Sequence, residues 1–288
     1  MQRSEESGQW PSISSFWELL GPPLRPSSQD VDLVADAIAR FGPAKTTSLD
    51  ILVLGVTPEF TDLDLGRKLE FQAIDRTPSM IASIWPGPKE SAICADWRSM
   101  PWTHPVFHVA LCDGGLQLLD YPSGVSAVAR ELKRVLKPGG LFIVRLFCPP
   151  IAKEDPEEVL SQLISGSILN LNELKLRLNS ALQTDPEDGV SLADVWQFLH
   201  ERLGPWKELA ARLGWSLEHL QVIDAYRNNN ARMHFFDISE AIKLITNGSD
   251  LEHLYTAKGN YRMAECCPIL VFGHQSLRAE ATGWPRNR

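Results

Sequence analysis

The stretch from Ser91 to Cys148 limits the fold more than any other part of the chain. Two runs in it, Val106 to Cys112 and Leu141 to Phe147, are apolar almost throughout rather than at alternate positions. Strands of that kind need cover on both faces, as in a parallel sheet flanked by helices. Between them Val125, Val128, Leu132, Val135 and Leu136 recur at helical spacing, with Arg130, Glu131, Lys133 and Arg134 mainly on the other side. Lys137 favours the C-terminus of that helix, and Pro138-Gly139-Gly140 stops it. The unit is a right-handed strand–helix–strand crossover.

The same alternation runs through the rest of the chain. Ser27 with Asp30 resembles a capping box and predicts a helix that buries Val31, Val34, Ala35, Ile38 and Phe41 and ends at Gly42. Strands are expected at Leu49 to Leu54, closed by Gly55, at Glu70 to Ile74, closed by Asp75, and at Ser91 to Ala95; a Thr77 cap starts a helix over Pro78 to Trp85. After Pro149-Pro150 the pattern changes. Residues 151–230 show five helical segments and no convincing strand, and are too apolar to be a linker. The second segment carries Leu171, Leu174, Leu178 and Leu182, and its Lys175 and Arg177 read as a solvated face. Asp237 with Glu240 forms a second capping box, and strands at Leu251 to Ala257 and Cys267 to Phe272 are close enough to pair as an antiparallel hairpin at the sheet edge.

The expected organisation is an N-terminal extension with a helix over 1–47, an α/β core over 48–150, a helical insertion forming a lid over 151–235, a helix and hairpin completing the core over 236–275, and a tail over 276–288. Residues 1–15 and the tail are expected to be loosely held. With 28 Lys and Arg against 36 Asp and Glu, the net charge of −8 disfavours nonspecific association with nucleic acid or an anionic membrane. No apolar run is long enough to span a bilayer, and Met1 to Gly8 lacks a signal-peptide core, so a cytoplasmic location is expected. The five cysteines, Cys94, Cys112, Cys148, Cys266 and Cys267, contain no CxxC pair and read as small buried thiols in a reducing compartment; no metal site is expected.

In open α/β sheets ligands bind beyond the carboxyl ends of the strands. Three acids stand at such ends: Asp75, Asp96 and Asp113. A carboxylate after the second strand suits two ribose hydroxyls, which points to Asp75. Asp96 is placed to accept a hydrogen bond from an exocyclic adenine amine, with Trp97 or Met80 against the ring.

These segments resemble the class I S-adenosylmethionine-dependent methyltransferases, well over residues 48–148 and weakly over 236–274. Arg134-Val135-Leu136-Lys137-Pro138-Gly139-Gly140 before an apolar strand is the most specific match; Phe71 to Met80 is similar to the family's second motif, and Ala95-Asp96-Trp97, Met100-Pro101-Trp102 and Phe107 to Leu111 to the third and fourth. The resemblance implies a seven-stranded, mostly parallel Rossmann-like sheet with a terminal antiparallel hairpin. It also implies that Asp75 and Arg76 lie at the cofactor ribose, Met80, Asp96 and Trp97 at its adenine, and Gly55, Asp113 and Gly114 at its methionine half. The first motif departs from the family: its acid is Val53, and its later glycines are Thr57 and Glu59 in Val53-Leu54-Gly55-Val56-Thr57-Pro58-Glu59. Pro58 stiffens that loop and removes an N–H. Thr57 or Glu59 is then the expected polar contact to the cofactor ammonium.

Methyl transfer needs orientation and exclusion of water, and a base only where the acceptor loses a proton. Candidates for that role are Asp113, Tyr226 and His234, with Arg145 and Arg227 nearby; Trp17 and Arg25 are candidates for an N-terminal lid. The function expected is methyl transfer from S-adenosylmethionine to a small-molecule acceptor. The alternatives are a catalytically degenerate binder on the same fold, motivated by the altered first motif, and an NAD(P)-dependent oxidoreductase, which lacks a G-x-G-x-x-G run after the first strand.

Overall fold

A computed structural model describes residues 14–44 and 46–274. Of the residues expected to be loosely held, 1–13 and those after Gln275 lie outside the described residues, whereas positions 14 and 15 open a 3-10 helix, Ser14–Leu19. In chain order the first half comprises α1 (Ser28–Phe41), β1 (Ser48–Leu54), β2 (Lys68–Asp75), α2 (Pro78–Ile84), β3 (Ala92–Cys94), β4 (Phe107–Asp113), α3 (Ser123–Val135) and β5 (Leu136–Arg145). The second half comprises α4 (Pro156–Ile164), α5 (Leu171–Leu182), β6 (Val190–Ser191), α6 (Leu192–Leu203), α7 (Trp206–Leu213), α8 (Leu217–Gln221), β7 (Arg232–Met233), α9 (Ile238–Gly248), β8 (Leu251–Ala257) and β9 (Ile269–His274). Seven strands form one sheet in the order β3-β2-β1-β4-β5-β9-β8. The first five are parallel, and β9 runs antiparallel to both β5 and β8. This is the Rossmann-like methyltransferase topology, with its order reversing between β1 and β4.

Why the strands are apolar at successive positions is visible in their burial. Leu52, Leu54, Ala110, Cys112, Phe142 and Val144 pack with α3 and α9 on one face. Ile51, Val53, Val109, Leu111, Leu141 and Ile143 pack with Val34, Ile38 and Phe41 of α1 and Met80 of α2 on the other. Removing each of the leucine, isoleucine, valine and phenylalanine side chains from water contributes about 1.5–3 kcal/mol, so neither face tolerates a polar run.

Several local expectations change. Helix α3 ends at Val135, and Leu136 already pairs with Phe107; Lys137 to Gly140 make an excursion before Leu141 pairs with Val109. Lys137 therefore caps no helix: its Nζ lies 2.7 Å from Asp50 Oδ2. Ser27 and Asp30 do form a reciprocal capping box on α1. Asp237 caps α9, but the Glu240 carboxylate accepts from the Tyr121 hydroxyl instead of closing the box. The insertion contains a strand pair that its helical patterns hid, Val190–Ser191 against Arg232–Met233. Lys175 and Arg177 are buried rather than solvated, because α5 is enclosed on every side. Four cysteines are buried as expected, whereas Cys94 is exposed.

The insertion has a core of its own around Val159, Leu163, Leu174, Leu178, Leu192 and Ile223, continuous with Phe147, Cys266 and Cys267 below the sheet's carboxyl edge. Asp224 ties three of its segments together, Oδ1 accepting from the indole N–H groups of Trp196 at 2.8 Å and Trp206 at 2.7 Å. No helix among the described residues is long and apolar enough to cross a membrane.

Candidate active site

At the carboxyl ends of β1, β2 and β4 the reversal of strand order opens a cleft, the position at which ligands enter open α/β sheets. The cavity there and the open solvent at its mouth together take up about 1150 Å³. Its sheet side is lined by Gly55, Val56, Thr57, Asp75, Arg76, Met80, Asp96, Trp97, Asp113 and Gly114. Pro58 does not line it and instead starts a short 3-10 turn, Pro58–Asp62.

The turn after β1 needs glycine at position 55, whose φ is +100°, a value L side chains rarely adopt. A Cβ there would stand 3.9 Å from Asp75 Oδ2 and 3.7 Å from the Trp97 ring, so the carboxylate and the turn face each other across the cleft. The other carboxylate oxygen, Asp75 Oδ1, accepts from the Thr77 amide at 2.7 Å, which fixes the side chain's direction. Trp97 is held by its own N–H, which donates to the Ile74 carbonyl at 2.7 Å. Its ring lies so close to Gly115 that a Cβ would meet it at 2.4 Å. Asp96 is gripped by Arg98 through Nε at 2.9 Å and Nη2 at 2.6 Å, and those bonds hold its carboxyl below the usual carboxylate range.

The loop carrying Asp96 and Trp97 is anchored from α3. Glu131 Oε2 accepts from the Met100 amide at 2.6 Å, and Arg134 donates to the carbonyls of Met100, at 2.9 Å, and Trp102. The polar face of α3 thus does more than meet solvent.

Of the three candidate bases, Asp113 lines the cavity but is not a free carboxylate. Arg145 Nε donates to it, and both groups are almost wholly buried; burial works against the Arg145 charge, but the charge and hydrogen bond of Asp113, with the nearby Cys267 and Tyr261, together outweigh it and keep Arg145 protonated. Arg145 also donates to the Pro23 carbonyl at 2.8 Å, joining the end of β5 to the N-terminal segment. Tyr226 lines the cavity, and burial pushes its phenol pKa up. His234 lies away from it, its Nδ1 2.7 Å from the Pro186 carbonyl and its ring stacked on Tyr121, in a separate surface groove that also holds Arg227. The thiols offer no nucleophile here: burial pushes Cys112 up to about 12.

The N-terminal segment forms one wall through Trp17, Leu20 and Leu24. Arg25 secures it, donating from Nε to Glu59 at 2.6 Å and from Nη1 to the Trp17 carbonyl at 3.2 Å, with its guanidinium 4.7 Å from the Trp17 ring centroid. Glu59 is therefore the counter-ion of Arg25, and Thr57 alone of the two expected polar contacts lines the cavity. The facing wall comes from the insertion: Lys175, Tyr226 and Met233.

Residues 52–144 match the family model described as a methyltransferase domain. Over those residues the chain is similar to a methyltransferase domain. Among solved structures, the domain and its insertion together are similar to the CcbJ methyltransferase from Streptomyces caelestis, at 14% identity and a TM-score of 0.53 over 93% of this chain and 98% of that one. A Rhodobacter sphaeroides chain provisionally named a zinc-dependent alcohol dehydrogenase is similar at 14% identity and a TM-score of 0.60, over 93% and 97% of the two chains. A chain from the complex of the Haloferax volcanii Trm112 methyltransferase activator with a provisionally assigned methyltransferase is similar at 12% identity and 0.50, over 95% and 99%. At such identities the likeness is one of fold. No curated protein matches the chain in sequence.

Lys175, expected on a solvated face rather than as a substrate clamp, is buried at the cavity. Its spacing carried the signal: Lys175 lies four residues after Leu171 and three before Leu178, on the leucine stripe rather than opposite it. Glu131, Arg134 and Arg145 were read as a helix's polar face and an unassigned neighbour, and only the folded chain shows what they hold.

Proposed function

We propose that this protein is an S-adenosylmethionine-dependent methyltransferase acting on a small molecule. The observation that carries the reading is the gathering of Gly55, Asp75, Met80, Asp96 and Gly114 around one cavity at the reversal of strand order. In this reading Asp75, oriented by the Thr77 amide, accepts from the ribose hydroxyls. Met80 flanks the adenine and Asp96 accepts from its amine. The residues present fit such a cofactor, since the left-handed turn at Gly55 leaves room for close backbone approach where a side chain would project. S-adenosylmethionine, when bound, supplies a methyl group already activated on a sulfonium.

What remains for the chain is to orient the acceptor and exclude water. The N-terminal wall at Trp17, Leu20 and Leu24 and the insertion wall at Tyr226 and Met233 enclose the remaining space, which favours a small acceptor over a macromolecular one.

Calorimetry with S-adenosylmethionine and S-adenosylhomocysteine tests the reading. Saturable binding is expected, weakened by about 10- to 100-fold in Asp75→Ala, the scale of losing hydrogen bonds to a charged group. No binding by the intact protein, or equal binding by the variant, would overturn it. Methylated product from an acceptor panel separates an enzyme from a degenerate binder.

A further inference from the structure

The insertion presents to the cavity a charge that no counter-ion among the described residues matches. Lys175 on α5 is 3% exposed and lines the cavity beside Tyr226, its Nζ 4.7 Å from the centroid of that ring. It makes no hydrogen bond or ion pair among the described residues. The neighbouring charges of α5 are engaged elsewhere: Glu173 with Arg262 at 2.6 Å, and Arg177 with Glu154. Asn172 and Asn179 share the Lys175 face of the helix at i−3 and i+4, and each holds a buried Oδ1 without a hydrogen-bond partner among the described residues. Asn179 is fixed in that orientation because its Nδ2 donates to the Lys175 carbonyl at 2.6 Å.

An ammonium withdrawn from water without a counter-ion is strongly unfavourable. A helix that needed only to fill this space would carry leucine or methionine there, as it does at Leu171, Leu174 and Leu178. An aromatic face offsets part of the cost, but one ring does not replace a counter-ion. Five cavity-lining residues, Leu20, Leu24, Leu118, Phe147 and Met233, belong with Tyr226 to one apolar cluster. The missing partner is therefore an anion brought in on a largely apolar body.

We propose that Lys175, set over the Tyr226 ring, is the seat for a carboxylate of the bound ligand. The inference rests on the methyltransferase reading and deepens it. The carboxylate has two possible sources, the methionine end of the cofactor or an acidic acceptor, and the two are separable by experiment. Burial alone pushes Lys175 down to about 8. The charged groups around the same cavity are Asp75, Arg76, Asp96 held by Arg98, and Asp113 held by Arg145, and Tyr226 is the titratable neighbour at the ammonium itself. A carboxylate that needs the ammonium should therefore bind about tenfold more weakly per pH unit above about 8.

The experiment is calorimetry on the full chain, wild type, Lys175→Met and Lys175→Arg. The probes are S-adenosylhomocysteine, methylthioadenosine, which lacks the amino-acid end, and, with S-adenosylhomocysteine present, phenylacetate, indole-3-acetate and hexanoate beside their carboxamides. If the cofactor supplies the carboxylate, Lys175→Met weakens S-adenosylhomocysteine at least tenfold and leaves methylthioadenosine unchanged. If the acceptor supplies it, both nucleosides bind as before, and the wild type prefers acids to amides at least tenfold, a preference lost in Lys175→Met and kept in Lys175→Arg. Either result, with the loss of affinity above pH 8, supports the seat. Wild-type binding of S-adenosylhomocysteine with every probe unaffected by Lys175→Met overturns the seat and leaves the methyltransferase reading standing. A wild type that binds neither nucleoside overturns that reading and this inference with it. Thermal melts of the variants show that each is folded.

Discussion

Lys175→Met should make the protein more stable at neutral pH, although most changes inside a buried helix do the reverse. The ammonium's pKa falls from 10.5 to about 8 because burial disfavours its charged form. At roughly 1.4 kcal/mol per pH unit, that is a cost of about 3 kcal/mol to the folded state at pH 7. The Tyr226 ring at 4.7 Å returns roughly 1–2 kcal/mol. The net gain on replacing the amine by a thioether of similar length is then about 1–2 kcal/mol. Its pH dependence has a definite sign. Below pH 8 the lysine is protonated in both states and the full cost is present. Between about 8 and 10.5 the unfolded chain binds the extra proton, so wild-type stability rises with pH. Above 10.5 both states are neutral and the cost is gone. Urea denaturation of both proteins at pH 7 and pH 10 reads this directly, since subtracting the two curves removes every titration they share. The midpoint should shift without a change in slope. A less stable variant at pH 7, or a difference that does not shrink by pH 10, would refute the reasoning and mean that the ammonium is satisfied in the fold.

Three further outcomes follow from packing. Asp113→Asn leaves Arg145 charged and buried without its counter-ion, and should lower stability by about 3–5 kcal/mol in thermal or urea denaturation. Gly115→Ala drives a Cβ to within 2.4 Å of the Trp97 ring, and should cost about 1–3 kcal/mol while changing near-ultraviolet circular dichroism as the indole leaves the Ile74 carbonyl. Asp224→Ala strands two indole N–H groups and should cost about 2–4 kcal/mol, roughly the desolvation of two unpaired donors. Because both indoles belong to the insertion, hydrogen exchange should quicken in α6 and α7 before it does in the sheet.

Much of the fold was legible because it depends on repetition. The apolar runs at β4 and β5, the stripe Val125, Val128, Leu132 and Val135, and the pairing of Ser27 with Asp30 are each local patterns whose meaning survives in isolation. The errors share one cause, which is that a side chain's partner lay far off in sequence. Lys137 looked like the end of a helix because its partner Asp50 is distant in the chain. Glu240 looked like half of a capping box because Tyr121 was not in view. The pairing of Val190–Ser191 with Arg232–Met233 spans most of the insertion and involves two residues a side, too few for alternation to show.

The candidate site divides along the same line. Asp75, Asp96 and Asp113 could be picked out from sequence because each follows an apolar strand, and strand ends converge wherever parallel strands share a sheet. Their different states could not. Asp113 is locked by Arg145, Asp96 is gripped by Arg98 and Asp75 is aimed by the Thr77 amide. A carboxylate's charge and direction depend on what surrounds it in space. Lys175 shows the division most clearly. The chain alone placed a lysine on a leucine stripe. Only the tertiary structure, by burying α5 and setting Lys175 against the cavity, turned that lysine from a surface charge into a buried cation with no counter-ion among the described residues. Periodicity is a property of neighbours along the chain, whereas solvation is a property of the assembled whole.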